Sequence, residues 1–442
     1  MNDTKKTSIL CKDGVSYLIP FIMITSCFAL WGFANDITNP MVKAFSKIFR
    51  MSVTDGALVQ VAFYGGYFAM AFPAAMFIRR FSYKAGVLLG LGLYAVGAFL
   101  FFPAMLSGSY YPFLIAYFIL TCGLSFLETS SNPYILSMGT EETATRRLNL
   151  AQSFNPMGSL LGMYVAMNFI QNRLNPMDTI ERSQLSASEF ETVRNSDLSV
   201  LIAPYLIIGA VVLLMLLLIR MVKMPKSADQ SHDINFLPTL KRITHIPHYR
   251  EGVIAQFFYV GAQIMCWTFI IQYGTRLFMA GGMEEKAAEV LSQEYNIVAM
   301  VIFCISRFVC TFILRYLSPG FLLKVLAVAA CVFTVGVIFL QNIFGMYCLV
   351  GGISACMSLM FPTIYGIALR GLGDDAKFGA AGLIMAILGG SVLPPLQASI
   401  IDQGVLFGMP AVNLSFVLPL ICFIVIIVYG NRSHQRERVS LK

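Results

Sequence analysis

The chain has 442 residues, of which 57% are hydrophobic and 12% charged, with a mean hydropathy of +0.73. Soluble domains carry about 25% charged residues, so an ordinary water-soluble globule is excluded, and four His and two Trp leave little for a histidine metal site or a haem pocket. The net charge of +8 lies in short connectors between apolar runs rather than in a basic block, which points to membrane topology and away from nucleic acid.

A spanning helix needs about 20 mostly apolar residues. That length places spans at 17–40, 56–78, 86–106, 112–138, 148–171, 200–222, 251–275, 295–314, 321–341, 344–369, 379–401 and 411–430. No segment alternates in polarity as a barrel strand would. The expected class is therefore an all-α membrane protein with twelve transmembrane helices. The first run, from near Tyr17, is too long for a signal-peptide core and leads into Asn-Asp instead of a small-residue cleavage site. Long polar stretches fall at 172–199 and 223–250. The second divides the chain into an N-terminal six-helix bundle (1–222), a cytoplasmic central loop (223–250) and a C-terminal six-helix bundle with a cytoplasmic tail (251–442).

With both termini placed in the cytoplasm, 22 of the 31 Lys and Arg fall on that side and eight on the other, while Arg307 lies within a span. The asymmetry satisfies the positive-inside rule. Ile78-Arg79-Arg80-Phe81-Ser82-Tyr83-Lys84 follows span two and Leu314-Arg315-Tyr316-Leu317-Ser318-Pro319 follows span eight, equivalent places in two halves. The ten Cys sit almost wholly in apolar runs without Cys-x-x-Cys spacing and read as small packing residues.

Charge within the bilayer is costly, so ionisable residues inside spans are candidates for function. Span one ends Trp31-Gly32-Phe33-Ala34-Asn35-Asp36-Ile37-Thr38-Asn39-Pro40, which sets Asn35, Asp36 and Asn39 on one helix face with Trp31 one turn earlier. Either the helix simply ends in water there, or an aromatic and its polar neighbours line a sugar pocket. In span four Glu128 has apolar residues before it and Asn132 one turn on, and Pro133 frees the carbonyl of Thr129. The structural alternative is an ion pair with Arg307. Burial disfavours the charged form of a carboxyl, the property a proton-coupled carrier uses.

Span five puts Asn149, Gln152 and Asn155 on one stripe, and span seven does the same with Gln256, Tyr259, Gln263 and Trp267. Such amides either bond neighbouring helices together or bind neutral hydroxyls, which they can do as donors and acceptors. Arg307 is either an anchor inside the bundle or a helix-end residue reaching water. Carboxylates and amides beside aromatics, without a cluster of Lys or Arg, suit a neutral polyol. No Walker A loop, metal-ligand set or cofactor motif is present in the sequence.

Several segments resemble the fucose:proton symporter family of the major facilitator superfamily, over essentially the whole chain. They are Gln60-Val61-Ala62-Phe63-Tyr64-Gly65-Gly66-Tyr67-Phe68, Arg80-Phe81-Ser82-Tyr83-Lys84-Ala85-Gly86, Leu127-Glu128-Thr129-Ser130-Ser131-Asn132-Pro133 and Arg147-Leu148-Asn149-Leu150-Ala151-Gln152-Ser153-Phe154-Asn155. Tyr259-Val260-Gly261-Ala262-Gln263, Cys266-Trp267 and Pro362-Thr363-Ile364 carry it through the second half. The resemblance implies a sugar symporter of the cytoplasmic membrane whose halves rock around a central cavity. It implies Glu128 as the proton site, the first-span aspartate as a substrate and coupling residue, and Gln152 and Asn155 as cavity lining.

One departure stands out. The family's first span reads Asn-Asn-Leu-Asn-Asp after Trp-x-x-Ala, whereas this chain has Asn35-Asp36-Ile37-Thr38-Asn39, so the family aspartate falls on Asn39. Asp36 stands nearly one turn earlier on the same face.

The resulting expectation is secondary active import of a neutral monosaccharide, L-fucose first, by proton symport. Glu128 and Asp36 would couple the proton; Trp31, Asn35, Asp36, Asn39, Gln152, Asn155, Gln263 and Trp267 would bind the sugar. The same-class alternative is a proton- or sodium-coupled carrier of glucose, galactose or N-acetylglucosamine. The remote one, a membrane-embedded glycosyltransferase, would need catalytic groups on a surface loop, and 172–199 offers acids but no His or Cys. No cofactor, metal or nucleic acid is expected, and the chain is expected to sit in the bilayer as a monomer.

Overall fold

Long apolar runs in hydrocarbon must satisfy every backbone group internally, and helix is the local solution. In the computed structural model the described residues are 10–12, 15–38, 41–51, 58–170, 173–175, 177, 179–222 and 236–440. Eleven of their helices are long and apolar enough to cross a membrane. The twelfth expected span, the fifth in order, is present but interrupted. Two-residue ladders pair Cys11–Lys12 with Val15–Ser16 and Val405–Leu406 with Met409–Pro410.

Contacts divide the chain into two compact units that do not follow chain order. Counting described residues, the first comprises Leu10–Met138 and Phe154–Ile234, the second Gly139–Ser153 and Asn235–Lys442.

The first unit begins with α1 (Leu18–Thr38) and the short amphipathic α2 (Met41–Phe49), followed by α3 (Leu58–Arg80), α4 (Tyr83–Leu106) and α5 (Tyr111–Ser137). The chain's next helix, α6 (Ala144–Gln152), belongs to the second unit. The first resumes with α7 (Asn155–Val165), a wider π turn at Ala166–Ile170, α8 (Thr179–Ser183) and α9 (Ala187–Met221). Span five is thus α6 and α7, broken at Ser153–Phe154. Pro156 sits just inside α7, where a missing N–H is tolerated.

Two glycines set how closely α1 and α7 cross. A Cβ on Gly158 would strike the Ala29 carbonyl, and one on Gly32 the Asn155 carbonyl. Also in the first unit, α2 seats Phe45 against Phe113 at 5.1 Å, in an aromatic core where Phe101 stacks on Tyr205 at 4.2 Å. A buried pair joins Arg182 on α8 to Asp197 on α9 at 2.6 Å, and Lys47 on α2 donates to the Asn175 carbonyl at 2.8 Å.

The second unit adds to α6 the helices α10 (Phe236–Thr244), α11 (Pro247–Thr268), α12 (Ile270–Ala280), α13 (Glu285–Ile313) and α14 (Pro319–Phe339). Span ten is segmented into α15 (Ile343–Tyr347), a π turn at Cys348–Ile353, α16 (Ser354–Met357) and α17 (Met360–Leu369). It is followed by α18 (Ala376–Met385), α19 (Gly389–Ile401), α20 (Ala411–Leu414) and α21 (Val417–Ser440). Its core gathers on α11, α14, α17 and α21 around Tyr259, Leu323, Ile364 and Phe423. Of the expected central loop, 223–235 lies outside the described residues. Phe236–Thr244 of the remainder forms α10, tied by Arg242 to both Asp375 carboxylate oxygens at 2.7 Å, and Pro247 already begins α11.

The paired basic connectors are equivalent in place but not in detail. Ser82 caps α4 by accepting from the Ala85 N–H at 3.0 Å, whereas the Ser318 hydroxyl turns to His434 Nδ1 at 3.3 Å. Each serine begins a helix, yet only one closes it with its own side chain.

Candidate functional site

Within the first unit, four helices bring the expected acids and part of the amide set together. Trp31 is buried with its ring 4.2 Å from Phe28, and Asn35 and Asp36 follow, half-buried, on the last turn of α1. The Oδ1 of Asn35 is shut from solvent without a hydrogen-bond partner. Asp36 lies within electrostatic reach of Tyr64 on α3. Asn39 lies outside the described residues.

Asn155 opens α7 and donates from Nδ2 to the Phe28 carbonyl at 3.1 Å. Ser159, one turn on, donates to the Gly32 carbonyl at 3.3 Å. The Asn155 amide group is therefore engaged in helix packing, the structural alternative raised by its sequence stripe, while the crossing holds it beside α1.

Glu128 is 5% exposed on α5, a helix whose face from Leu120 to Ile135 is buried throughout. The Tyr67 hydroxyl on α3 donates to Oε1 at 3.4 Å, and Oε2 is buried with no partner. Asn132 donates to the Glu128 backbone carbonyl at 3.1 Å rather than to its carboxyl. Among the described residues of its own unit no cation pairs with Glu128; Arg307, the partner considered from sequence, belongs to the other unit. An unpartnered buried carboxylate oxygen is costly unless the group takes up a proton. Tyr64 and Tyr67, three residues apart on α3, bring a phenol toward each acid. Their spacing in the Gln60–Phe68 segment was the available signal, but it did not say which acid each would face.

The second unit holds Gln152, Gln263 and Trp267. Gln152 ends α6 and is buried. Gln263 and Trp267 lie half-buried on the expected face of α11, which stops at Thr268. The Trp267 ring meets Phe303 edge-on at 4.8 Å, and its Nε1 is buried without a partner. On the same face, Gln256 has neither amide atom satisfied, while the Tyr259 hydroxyl donates to the Met357 carbonyl at 3.0 Å. A buried amide and an indole N–H on one face with unused hydrogen-bonding capacity suit a ligand carrying several hydroxyls.

Arg307 resolves to the first of its two alternatives. It is 4% exposed on α13, donates from Nε to the Ser358 carbonyl at 2.6 Å and from Nη1 to the Gln152 carbonyl at 3.0 Å, and lies 4.6 Å from the Phe303 ring centroid. Asn149 on α6 donates from Nδ2 to the Thr363 hydroxyl at 3.1 Å. Neither tie was legible in the sequence.

The sequence profile of the Major Facilitator Superfamily matches residues 24–395. The chain is similar to the L-fucose-proton symporter of Haemophilus influenzae, with 51% identity over 423 residues covering 94% of this chain and 97% of that one. It is 34% identical over 419 residues to the L-fucose-proton symporter of Escherichia coli, covering 94% and 93%. A glucose/galactose transporter of Brucella abortus is 29% identical over 417 residues, covering 94% of each chain. Among solved structures, the superfamily transporter FucP in its outward conformation superposes with a TM-score of 0.84 at 33% identity, covering 94% of this chain and 99% of that one.

Proposed function

The chain belongs to the Major Facilitator Superfamily, and on that premise we propose that it imports L-fucose together with a proton by alternating access. It is a membrane transporter and not an enzyme. L-Fucose is named because two relatives covered over more than nine-tenths of their length are L-fucose-proton symporters.

The observation that carries the proton is Glu128. Its carboxyl is buried, one oxygen has a single phenol donor and the other has none. A group in that setting is poorly accommodated as an anion and well accommodated as a neutral acid. Protonation removes a buried charge, lets the sugar bind, and allows the loaded carrier to change state. Only interactions that differ between the states drive that change, and a charge present in one and absent in the other is such a difference. Asp36 is the second coupling group and, with Trp31, Asn35, Asn39, Gln152, Asn155, Gln263 and Trp267, recognises the sugar. The chain works as a monomer in the inner membrane, with both termini cytoplasmic, as the distribution of its basic residues supports.

Counterflow in proteoliposomes tests the reading. L-Fucose, D-glucose, D-galactose and N-acetylglucosamine are loaded in turn, with and without sodium. L-Fucose is expected to give the largest exchange, and concentrative uptake is expected to collapse with a protonophore and to ignore sodium. Uptake that requires sodium, or a hexose that outruns L-fucose, would overturn it.

A further inference from the structure

An α-helical carbonyl accepts from the N–H four residues on, and proline has no N–H to give. Pro156 therefore cannot donate to the carbonyl of Gln152, nor Pro362 to that of Ser358. These are the two carbonyls that Arg307 takes, Gln152 by Nη1 at 3.0 Å and Ser358 by Nε at 2.6 Å. Gln152 is the last residue of α6, and Ser358 follows the last residue of α16. One guanidinium thus closes the interruptions of two different spans from a third helix.

The match is chemical as well as positional. The carbonyl end of a helix carries partial negative charge, so a cation is favoured there. A guanidinium offers several N–H donors in one rigid plane, whereas an ammonium is a compact point charge. A buried cation is expensive when uncompensated. Among the described residues no carboxylate pairs with Arg307, none of its nitrogens is left buried and unpartnered, and the face of Phe303 contributes a further attraction. What compensates the charge is therefore chiefly that pair of carbonyls. Asn149 to Thr363 at 3.1 Å ties α6 to α17 one turn away, so the end of α6 is held from two sides.

We propose that Arg307 is a positioning residue for sugar recognition: it brackets the carbonyls of Gln152 and Ser358 and so fixes the break in span five from which the Gln152 side chain projects. The assignment of that side chain to the sugar rests on the function proposed above, while the bracket itself does not. Arg307 is not itself a sugar-contacting group. It acts through the backbone of Gln152, and its fork holds two helix ends in register.

The test compares wild type with Arg307→Met, which keeps an unbranched apolar stem and removes the fork. Amide hydrogen exchange by mass spectrometry is read over 150–155 and 358–361, and L-fucose affinity by quenching of the chain's two tryptophans. Exchange in both segments is expected to quicken by about tenfold, a loss in keeping with charged hydrogen bonds, and L-fucose affinity to fall by about tenfold. Arg307→Lys, which keeps the charge but can bond both carbonyls only imperfectly, is expected to recover part of each loss, and carries the same measurements if the methionine variant does not fold. Unchanged exchange in both segments would overturn the bracket. Gln152→Ala separates the two readings: if it leaves L-fucose affinity untouched, the sugar role of Gln152 fails while exchange still decides the bracket. If Gln152→Ala weakens binding and Arg307→Met does not, the positioning role fails.

Discussion

Glu128 in the first unit and Arg307 in the second are both buried ionisable groups, and the two are treated in opposite ways. Glu128 in the first unit has a single long hydrogen bond, 3.4 Å from the Tyr67 hydroxyl, and one oxygen with no partner. Arg307 in the second is engaged by two carbonyls and an aromatic face. Burying either charge costs free energy, but only the guanidinium receives full compensation. A group that gains and loses a proton during a cycle cannot be saturated in its charged form, because it would then be locked there. A group that holds backbone in place gains from saturation. The contrast also distinguishes carboxylates within the first unit, since Asp197, equally buried, is paired with Arg182 at 2.6 Å.

The most direct way to break this contrast is Glu128→Gln, which keeps the shape and removes the titration. Gradient-driven accumulation of L-fucose in vesicles is expected to fall to background while counterflow exchange persists. Concentrative uptake at the wild-type level would remove Glu128 from coupling.

Asp197→Ala should do the reverse. Losing one partner of a buried pair costs about 3–5 kcal/mol, so the thermal midpoint is expected to drop sharply while the folded fraction still accumulates sugar against a proton gradient. A coupling defect at unchanged stability would place Asp197 beside Glu128 rather than opposite it.

Asp36→Ala is expected to weaken L-fucose binding by roughly tenfold to a hundredfold, the range for a charged hydrogen bond lost. Tryptophan quenching reads it directly, and wild-type affinity would take Asp36 out of the sugar site.

Tyr67→Phe should have the smallest effect. It removes the one donor to Glu128 and leaves the ring packing against Phe63 at 5.7 Å. A loss of about 1 kcal/mol corresponds to a few-fold change in uptake rate. A total loss of coupling would show that the phenol is itself part of the proton path.

How far the chain's own order reveals these roles differs from residue to residue. Glu128 stood out because a carboxyl inside a long apolar run is rare, and the run is contiguous in sequence. The polar face of α1 was equally visible, since residues three and four apart share a helix side. Tyr67 was not, because its pairing with Glu128 depends on how α3 lies against α5. Arg307 was conspicuous as the one basic residue inside a span, yet its two alternatives could not be separated. Its partners are backbone groups 155 and 51 residues away. Pro156 and Pro362 remove the usual helical donor to the Gln152 and Ser358 carbonyls, a local rule that does not name the donor that reaches them.

The membership of α6 was hidden for a similar reason. Hydropathy shows a single apolar run at 148–171 and cannot show that its first part packs with one unit and the remainder with the other. The Gly32 and Gly158 crossing shows the same limit from the other side. Glycine in a helix signals a close approach but not the partner.

By itself the sequence determined the membrane class, the number and order of the spans and the places where charge enters the apolar runs, because these depend on composition and on periodicities of a few residues. The tertiary structure alone decided that span five divides between units, that Tyr67 faces Glu128, and that Arg307 closes two proline gaps. Those facts depend on which helices cross and at what height. Helix crossings are set by packing between residues far apart in the chain, which no local pattern encodes.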